Sequence, residues 1–341
     1  MADAPDATTP RPVDLVLAQD PAPAAKIALS EGSDPRVVAG ALAARRAGIA
    51  GIILVGDEAG VRAALATEGG SDGDGIEIHD PATSPLTEDF SAAYHDLRRH
   101  KGIDAAAAQT AVQSPLVYAA MLVRQGYADG TVSGAVTTTS DVVRTALQVI
   151  GKAQGAAMVS SFFLMYPPEH ATGDARAMLY SDCGLVIDPS PEELAAIAAS
   201  SAASCRALMR QEPKVAMLSF STKGSARHAC VTKVTDALKH LKNSHPDLQA
   251  DGELQFDAAF MPSVAASKAP GSDVAGHANV MIFPNLDAGN IGYKMTQRLG
   301  GYAAIGPILQ GLAKPANDLS RGCVAQDVTE MIAVTVLQAR A

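Results

Sequence analysis

Short apolar segments alternate with helical segments along this chain, and this pattern limits the fold more than any other feature. Lys26–Ser30 and Gly51–Val55 have the length and content of buried strands, and Arg36–Ala47 and Glu58–Ala66 follow them as helices. Successive parallel strands need a crossover connection, which a helix supplies, and helices then cover both faces of the sheet. The pattern therefore predicts an α/β fold with mainly parallel sheets.

Chain length and charge narrow the class further. The chain has 341 residues, beyond the size at which one core usually divides, so we expect two domains. Hydrophobic residues make up 48% and charged residues 18%, which indicates a folded globular protein. Lys and Arg number 27 against 36 Asp and Glu, a net charge of −9, which argues against general binding to nucleic acid or to anionic membranes. This balance is still compatible with a local basic site for a small anion.

The cysteines predict neither a zinc site nor a disulfide framework. They are Cys183, Cys205, Cys230 and Cys323, without C-x-x-C spacing or a cluster of histidines. Free thiols suit a reducing compartment, so we expect a cytoplasmic protein without a metal. Residues 1–24 are interpreted as a partly ordered tail, because they lack the basic and apolar regions of a signal peptide. No apolar run in the sequence is long enough to cross a membrane.

The segment Lys314–Asp327 combines groups that suit anion chemistry. Ser320, Arg321 and Asp327 place a hydroxyl, a guanidinium and a carboxylate within eight residues. Its first part is interpreted as a loop because of four turn-forming residues, namely Pro315, Asn317, Asp318 and Gly322. A helix is predicted after Cys323, with one apolar face formed by Val324, Val328, Met331 and Ile332. Ser320 and Arg321 then precede a helix start, where free N–H groups and the helix dipole favour an anion.

A second candidate is the turn between a predicted strand, Gly130–Val136, and a helix that starts near Thr139. Ser133 and Thr139 supply hydroxyls around this turn, and Arg144 lies one turn into the helix. Such a turn can bind an anion through its backbone N–H groups. It is neither a P-loop nor a dinucleotide fingerprint, since the glycine spacings of both are absent. Plain capping of the helix is the alternative interpretation.

Two further segments carry weaker signals. Arg98 belongs to a basic run at a predicted helix end, Leu97–Gly102, which a solvated face also explains. Asn290 and Lys294 follow a buried strand that ends at Pro284, in a glycine-containing turn that suits a phosphate. A simple strand-to-helix connection explains that turn equally well.

The order of these motifs gives a specific resemblance, because the chain resembles the phosphate acetyltransferase (phosphotransacetylase) family over nearly its whole length. The segments that match are Leu97–Gly102, Ala128–Val136, Val143–Gln148, Lys214–Ser225, Asp251–Gln255, Ala288–Lys294 and Gly311–Cys323. So many matches in one order are not expected by chance. The resemblance implies two three-layer α/β/α domains, with the second inserted in the first and the active site in the cleft between them. The implied domains are 25–150 with 307–341, and 151–306, and the implied assembly is a homodimer formed through the second domain.

The resemblance also implies a reaction, the reversible conversion of acetyl-CoA and phosphate to acetyl phosphate and CoA in a direct ternary complex. Asp327 would remove the proton of the CoA thiol, Ser320 would orient the thiol or stabilise the oxyanion, and Arg321 would polarise the carbonyl and hold phosphate. The substrate-binding residues expected are Arg98, Arg144, Ser133, Thr139, Asn290 and Lys294. CoA enters as a substrate, and no separate cofactor is expected. A carboxyl titrates near ~3.9 and a thiol near ~8.5, so either Asp327 is partly shielded from water, which raises its pKa, or Arg321 lowers the pKa of the thiol.

Three alternatives stay open on the sequence alone. An acetyl-accepting nucleophile at Cys183 or Cys323 is the second mechanism, although a packed cysteine is the favoured interpretation. A related domain serves in malic enzymes as a non-catalytic module that senses acetyl-CoA. A transferase for propionyl or butyryl groups differs only in the size of its acyl pocket, which the sequence does not show.

Overall fold

The computed structural model describes residues 9–19 and 25–341, which form two compact units. One unit comprises Arg11–Gln154 and Leu312–Ala341, and we call it the terminal unit. The other comprises Gly155–Gly311 together with Thr9 and Pro10, and we call it the central unit. No helix among the described residues has the length and apolar character needed to span a bilayer.

The terminal unit contains a parallel five-stranded sheet in its described residues. Numbered along the whole chain, its strands are β1 (Lys26–Leu29), β2 (Gly51–Val55), β3 (Glu77–His79), β4 (Gly130–Ser133) and β11 (Ala316–Asp318). Their order across the sheet is β11-β4-β1-β2-β3, and every pair is parallel. β1 and β4 are buried in nearly all of their length because helices cover both faces.

The helices of the terminal unit are α1 (Pro12–Leu17), α2 (Pro35–Arg46), α3 (Glu58–Thr67), α4 (Thr87–Arg98), α5 (Ala105–Val112), α6 (Pro115–Arg124), α7 (Thr139–Thr145) and α13 (Ala325–Ala339). Local sequence explains where several of them begin. Asp34 caps α2 by accepting from the Arg36 N–H, and Pro35 occupies its first position. Thr138 caps α7 in the same way through the N–H of Asp141. The start predicted for this helix, near Thr139, is therefore confirmed.

The central unit contains a six-stranded mixed sheet in the order β10-β5-β6-β9-β7-β8. The strands are β5 (Ser160–Tyr166), β6 (Met178–Ser181), β7 (Val215–Leu218), β8 (Ala250–Leu254), β9 (Val280–Ile282) and β10 (Ala303–Gln310). The β10–β5 and β5–β6 pairs are antiparallel and the rest are parallel. The helices are α8 (Pro191–Met209), α9 (Ala229–Ser244), α10 (Phe256–Phe260), α11 (Pro262–Lys268) and α12 (Leu286–Arg298). Two α/β units with mainly parallel pairing confirm the predicted fold class.

Three local predictions need correction, and the tail interpreted as partly ordered contains a helix. Asn317 and Asp318, interpreted as loop formers, lie in β11, because pairing with β4 outweighs their turn preference. The predicted strand Gly130–Val136 ends at Ser133, since Gly134 has a φ of 110° that breaks the extended backbone. α13 is buried on all sides from Val328 to Leu337 rather than along one face. Part of the predicted tail is helical, as α1, while residues 1–8 and 20–24 lie outside the described residues.

Candidate active site

The strand order of the terminal unit marks one edge of its sheet as a site for ligands. From β1 the chain proceeds through β2 to β3 on one side, while β4 and β11 lie on the other side. The direction of winding therefore changes between β1 and β4, and crevices form outside the carboxyl ends of strands at such a point. The segments that leave these ends are Ser30–Pro35 after β1, the β4–α7 turn, and the Ser320–Arg321 loop after β11.

The β4–α7 turn does bind an anion, and that anion is a side chain of the chain itself. The carboxylate of Glu31 accepts hydrogen bonds from four successive backbone N–H groups. The donors and distances are Gly134 at 3.0 Å, Ala135 at 2.8 Å, Val136 at 2.9 Å and Thr137 at 2.7 Å. Successive N–H groups of this kind form an anion-binding concavity. The expectation that this cradle receives a substrate phosphate therefore needs correction, since Glu31 occupies it.

The two hydroxyls predicted in this turn are both engaged within the terminal unit. Ser133 is 1% exposed, and its Oγ accepts from the Ser30 Oγ at 2.8 Å. Thr139 is half-buried, and its Oγ1 donates to the Asp318 Oδ2 at 2.6 Å. Ser133 therefore acts within the fold, whereas Thr139 has both an exposed side and a carboxylate partner.

Asp318 is a buried carboxyl at this edge, and it was not among the residues predicted for the site. It has no exposed surface, and its Oδ1 makes no hydrogen bond of normal geometry within the described residues. Burial raises the pKa of Asp318 to about 7, and the charge of Glu31 also raises it, while the Thr139 hydroxyl and Arg321 lower it. This carboxyl is therefore present in both ionisation states near neutral pH.

Ser320 and Arg321 lie in an exposed loop at the same edge, directly after β11. The loop begins with the Leu319 N–H donating to the Ser133 carbonyl at 2.7 Å, which extends the β11–β4 pairing. The Ser320 Oγ accepts from the Gly322 N–H at 3.2 Å. The side chains of Ser320 and Arg321 are thus available to a ligand at the sheet edge, ahead of α13.

Arg36 fastens this loop to the rest of the edge, and sequence reasoning missed it. Its Nη1 donates to the Arg321 carbonyl at 2.7 Å, and its Nη2 donates to the Ala135 carbonyl at 2.9 Å. Asp34 holds the guanidinium through two bonds, at 3.0 and 2.8 Å, and this contact lowers the pKa of the Asp34 carboxyl. The sequence did contain a clue to this role, because Glu31, Asp34 and Arg36 follow directly after a buried strand.

Asp327 lies in the first turn of α13, as predicted, but it is not shielded. Its side chain is exposed, and its Oδ2 accepts from the backbone N–H of Val324 at 2.9 Å, which caps the helix. The fold alone therefore leaves Asp327 open to water.

The remaining predicted cations of the terminal unit lie on helices. Arg98 ends α4 and is partly buried, and its Nε makes no hydrogen bond within the described residues. Arg144 lies on the exposed side of α7 and forms an ion pair with Asp141 at 2.8 Å. Both have guanidinium groups that a phosphate can engage.

Asn290 and Lys294 belong to the central unit and lie within α12, not in a turn. The helix starts at Leu286 with Asn285 as its cap, so the glycines of this segment are helical. Asn290 Nδ2 donates to the Cys183 carbonyl at 3.0 Å, and Lys294 is exposed beside the Tyr293 ring.

The two candidate nucleophilic cysteines are buried. Burial raises the pKa of Cys183 well above its usual value, and burial also raises that of Cys323. Only the thiolate is a strong nucleophile, so these surroundings suit packing rather than acyl transfer. Among the described residues, no group of three or more metal-ligating side chains is placed to hold an ion.

A pocket of about 720 Å³ opens at the same edge of the terminal unit. It is lined by the Ser30–Pro35 segment, by the start of α6 at Ser114–Val117, and by Val136, Thr137, Asp141 and Thr145. The start of α6 has no side-chain cap, so its N–H groups face this region without a side-chain acceptor in the described structure.

Comparisons with known proteins agree with one another. A sequence model of the family described as phosphate acetyl/butaryl transferase matches residues 13–336. A phosphate acetyltransferase of Clostridium acetobutylicum is 47% identical over 92% of this chain and 94% of its own length, and one of Bacillus subtilis is 44% identical over 92% and 94%. The crystal structure of a phosphotransacetylase from Streptococcus pyogenes superposes with a TM-score of 0.86 at 42% identity, over 93% of this chain and 94% of that one. This chain belongs to the phosphate acetyl/butaryl transferase family.

Proposed function

We propose that this chain is a phosphate acetyltransferase, which converts acetyl-CoA and phosphate to acetyl phosphate and CoA, and the reverse. The observation that carries the proposal is a sheet edge that presents Ser320 and Arg321 to a ligand, in a chain 47% identical to a protein named phosphate acetyltransferase over 94% of that protein's length. The geometry supplies an exposed guanidinium for a phosphate or carbonyl oxygen, and an exposed carboxylate for a proton.

In the direction that consumes acetyl phosphate, Asp327 takes the proton from the CoA thiol. The thiolate attacks the acetyl carbon, and the bond between that carbon and the phosphate oxygen breaks, so that phosphate leaves with the electron pair. Arg321 holds the phosphate and polarises the carbonyl, and Ser320 donates to the developing oxyanion. Because Asp327 is exposed, bound substrate has to exclude water from it during the proton transfer.

Arg98 and Arg144, together with nearby polar residues, bind the phosphate groups of the substrates. The Nε of Arg98 makes no hydrogen bond in the part of the chain that the structure describes, and Arg144 is held at the surface by Asp141. Thr139 presents its exposed side to the ligand, and Ser133 supports the turn from within. We assign Asn290 and Lys294 of the central unit to the same task, with Lys294 as the exposed charge.

Transfer is direct rather than through an acetyl-cysteine. Cys183 has no exposed surface and Cys323 is 4% exposed, which leaves neither thiol open to an acyl group. The reaction then needs both substrates on the protein at once, and initial rates with both varied should give intersecting lines in double-reciprocal plots. Parallel lines, the pattern of a ping-pong reaction, would overturn direct transfer.

We propose that the protein works as a homodimer, in the cytoplasm, with CoA as substrate and no further cofactor. α12 supports a dimer through the central unit, since Ile291, Met295 and Leu299 form a stripe at helical spacing that is 58%, 55% and 82% exposed. The free cysteines suit a reducing compartment. Light scattering of the purified protein tests the dimer, and a mass of one chain would contradict it.

The activity itself is tested by mixing the purified protein with inorganic phosphate and acetyl-, propionyl- or butyryl-CoA. We expect acyl phosphate and free CoA in equal amounts, fastest with acetyl-CoA. Binding of acetyl-CoA without any turnover would instead identify a sensing module, and a faster rate with butyryl-CoA would assign the longer substrate.

A further inference from the structure

The Asp318 carboxyl and the Thr139 hydroxyl form a pair at the carboxyl edge of the terminal sheet. Asp318 is the last residue of β11, two positions before Ser320, and it is fully buried. Thr139 is the first residue of α7 and is half-buried, so part of its surface is open to solvent. Their oxygens, Oγ1 of Thr139 and Oδ2 of Asp318, are 2.6 Å apart.

The chain is built closely around this carboxyl. A Cβ atom placed on Gly134 would lie 2.1 Å from the Asp318 Oδ1, so a side chain at that position would displace the carboxyl. Gly134 also has a φ of 110°, which favours glycine. The Oδ1 atom itself lacks a hydrogen bond of normal geometry within the described residues. Buried carboxyl oxygens are usually paired, and an unpaired one indicates a role other than packing.

Two charged groups act on Asp318, and the elements that pack against β11 carry others. Glu31, after β1, and Arg321, after β11, have opposite effects on the pKa of Asp318, which burial raises to about 7. On α7, Asp141 and Arg144 form an exposed ion pair. On α13, Asp327 lies at the exposed start of the helix and Glu330 pairs with Arg11 at 3.6 Å. β4 carries no titratable group.

The proton on Asp318 decides what Thr139 can offer to a ligand. A hydroxyl has one proton to donate and two lone pairs to accept with. When Asp318 is ionised, the Thr139 proton points inward to it, and the hydroxyl can only accept from the outside. When Asp318 is protonated, it can donate to Thr139, and the Thr139 proton is then free to point outward.

We propose that Asp318 is a positioning residue that sets the Thr139 hydroxyl as an acceptor or as a donor toward the substrates. This rests on the proposed acetyl transfer, and it assigns different substrates to the two states. An acceptor suits the S–H of the CoA thiol, whereas a donor suits the oxygens of phosphate or acetyl phosphate. Phosphate binding should then weaken as Asp318 ionises, while CoA binding should not.

The test is the KM for phosphate and for CoA between pH 5.5 and 8.5, in the wild type and in four variants. Asp318→Asn removes the titration, Thr139→Val removes the hydroxyl and Thr139→Ser keeps it. Thr110→Val is the control, since it removes an exposed hydroxyl that bonds only to the Ala106 carbonyl of its own helix. Phosphate ionises in the same way in every assay, whichever protein is present. Its effect therefore cancels when the KM of a variant is divided by the wild-type KM at the same pH.

We expect the ratio of the wild-type KM for phosphate to that of Asp318→Asn to rise about tenfold from pH 5.5 to pH 8.5. A tenfold change corresponds to the loss of one hydrogen bond to a charged group. Thr139→Ser and Thr110→Val should follow the wild type, and Thr139→Val should follow Asp318→Asn. The ¹³C signal of the Asp318 carboxyl, assigned by its loss in Asp318→Asn, should titrate near neutral pH. This signal should titrate at higher pH in Thr139→Val, because the hydroxyl no longer stabilises the charge.

Wild-type pH profiles in both Asp318→Asn and Thr139→Val would overturn the proposal, as would an Asp318 carboxyl that stays in one state throughout. If Asp318→Asn does not fold, the KM for phosphate in the wild type, Thr139→Ser and Thr139→Val still decides the question, because the same pH dependence in all three would overturn the proposal. Absence of acetyl phosphate from the wild type at every pH would contradict the proposed activity instead, so the two failures are distinct.

Discussion

The Arg36 Nη1 donates to the backbone carbonyl of Arg321 at 2.7 Å, and this bond joins the start of α2 to the loop that carries the proposed chemistry. Because Arg36 also holds the Ala135 carbonyl, it fixes the loop against the β4–α7 turn. Arg36→Ala should therefore lower kcat by about 100-fold, the cost of a reacting group misplaced by about 1 Å. Arg62→Ala is the matched control, since Arg62 pairs with Glu58 on the surface of α3, and it should keep wild-type kcat. A fully active Arg36→Ala would show that the loop holds its place without this bond.

Removal of Glu31 should turn the β4–α7 turn into a site for external anions. Glu31→Ala leaves four backbone N–H groups without their acceptor, which should destabilise the fold by roughly 2–4 kcal/mol. Sulfate should then raise the unfolding temperature of Glu31→Ala more than that of the wild type, as measured by scanning calorimetry. Equal shifts in the two proteins would indicate that the turn loses its shape together with Glu31.

Cys323→Ala should keep at least half of the wild-type kcat. Cys323 is buried at the start of the last helix, and its raised pKa keeps the thiol protonated. Replacement by alanine leaves a small cavity, so we expect a loss of about 1 kcal/mol of stability without loss of turnover. A hundredfold lower kcat with an unchanged unfolding temperature would restore the covalent route.

Asp318 should make the protein less stable as the pH rises. Its folded pKa, about 7, exceeds the ordinary value of 3.8, so the folded state binds more protons between these values. Stability then falls as the pH rises from about 4 to 7, by up to roughly 4 kcal/mol at about 1.4 kcal/mol per pH unit. Urea titrations of the wild type and Asp318→Asn should therefore give free energies of unfolding whose difference changes across this range. A constant difference would mean that Asp318 is ionised throughout.

The sequence predicted the α/β class, most helix starts and the exposed Ser320–Arg321 loop, because these depend on local pattern and capping. It missed β11, since Asn317 and Asp318 prefer turns and join the sheet only through β4, which is distant in the chain. It also placed a substrate anion in the β4–α7 turn, because nothing in that turn shows that Glu31 fills it. Burial of Asp318 depends on the same long-range pairing, and only the folded chain reveals it.

The exposed position of Asp327 is the point on which the proposed mechanism depends most. The most direct measurement is the rate at which Asp327→Asn converts acetyl phosphate and CoA to acetyl-CoA and phosphate. The control is Asp188→Asn, which alters an exposed carboxylate of the central unit. We predict that Asp327→Asn lowers kcat by about 100-fold or more, the usual effect of a general base, with both KM values within about threefold of the wild type. Asp188→Asn should match the wild type. Unchanged kcat in a folded Asp327→Asn would remove Asp327 from the reaction.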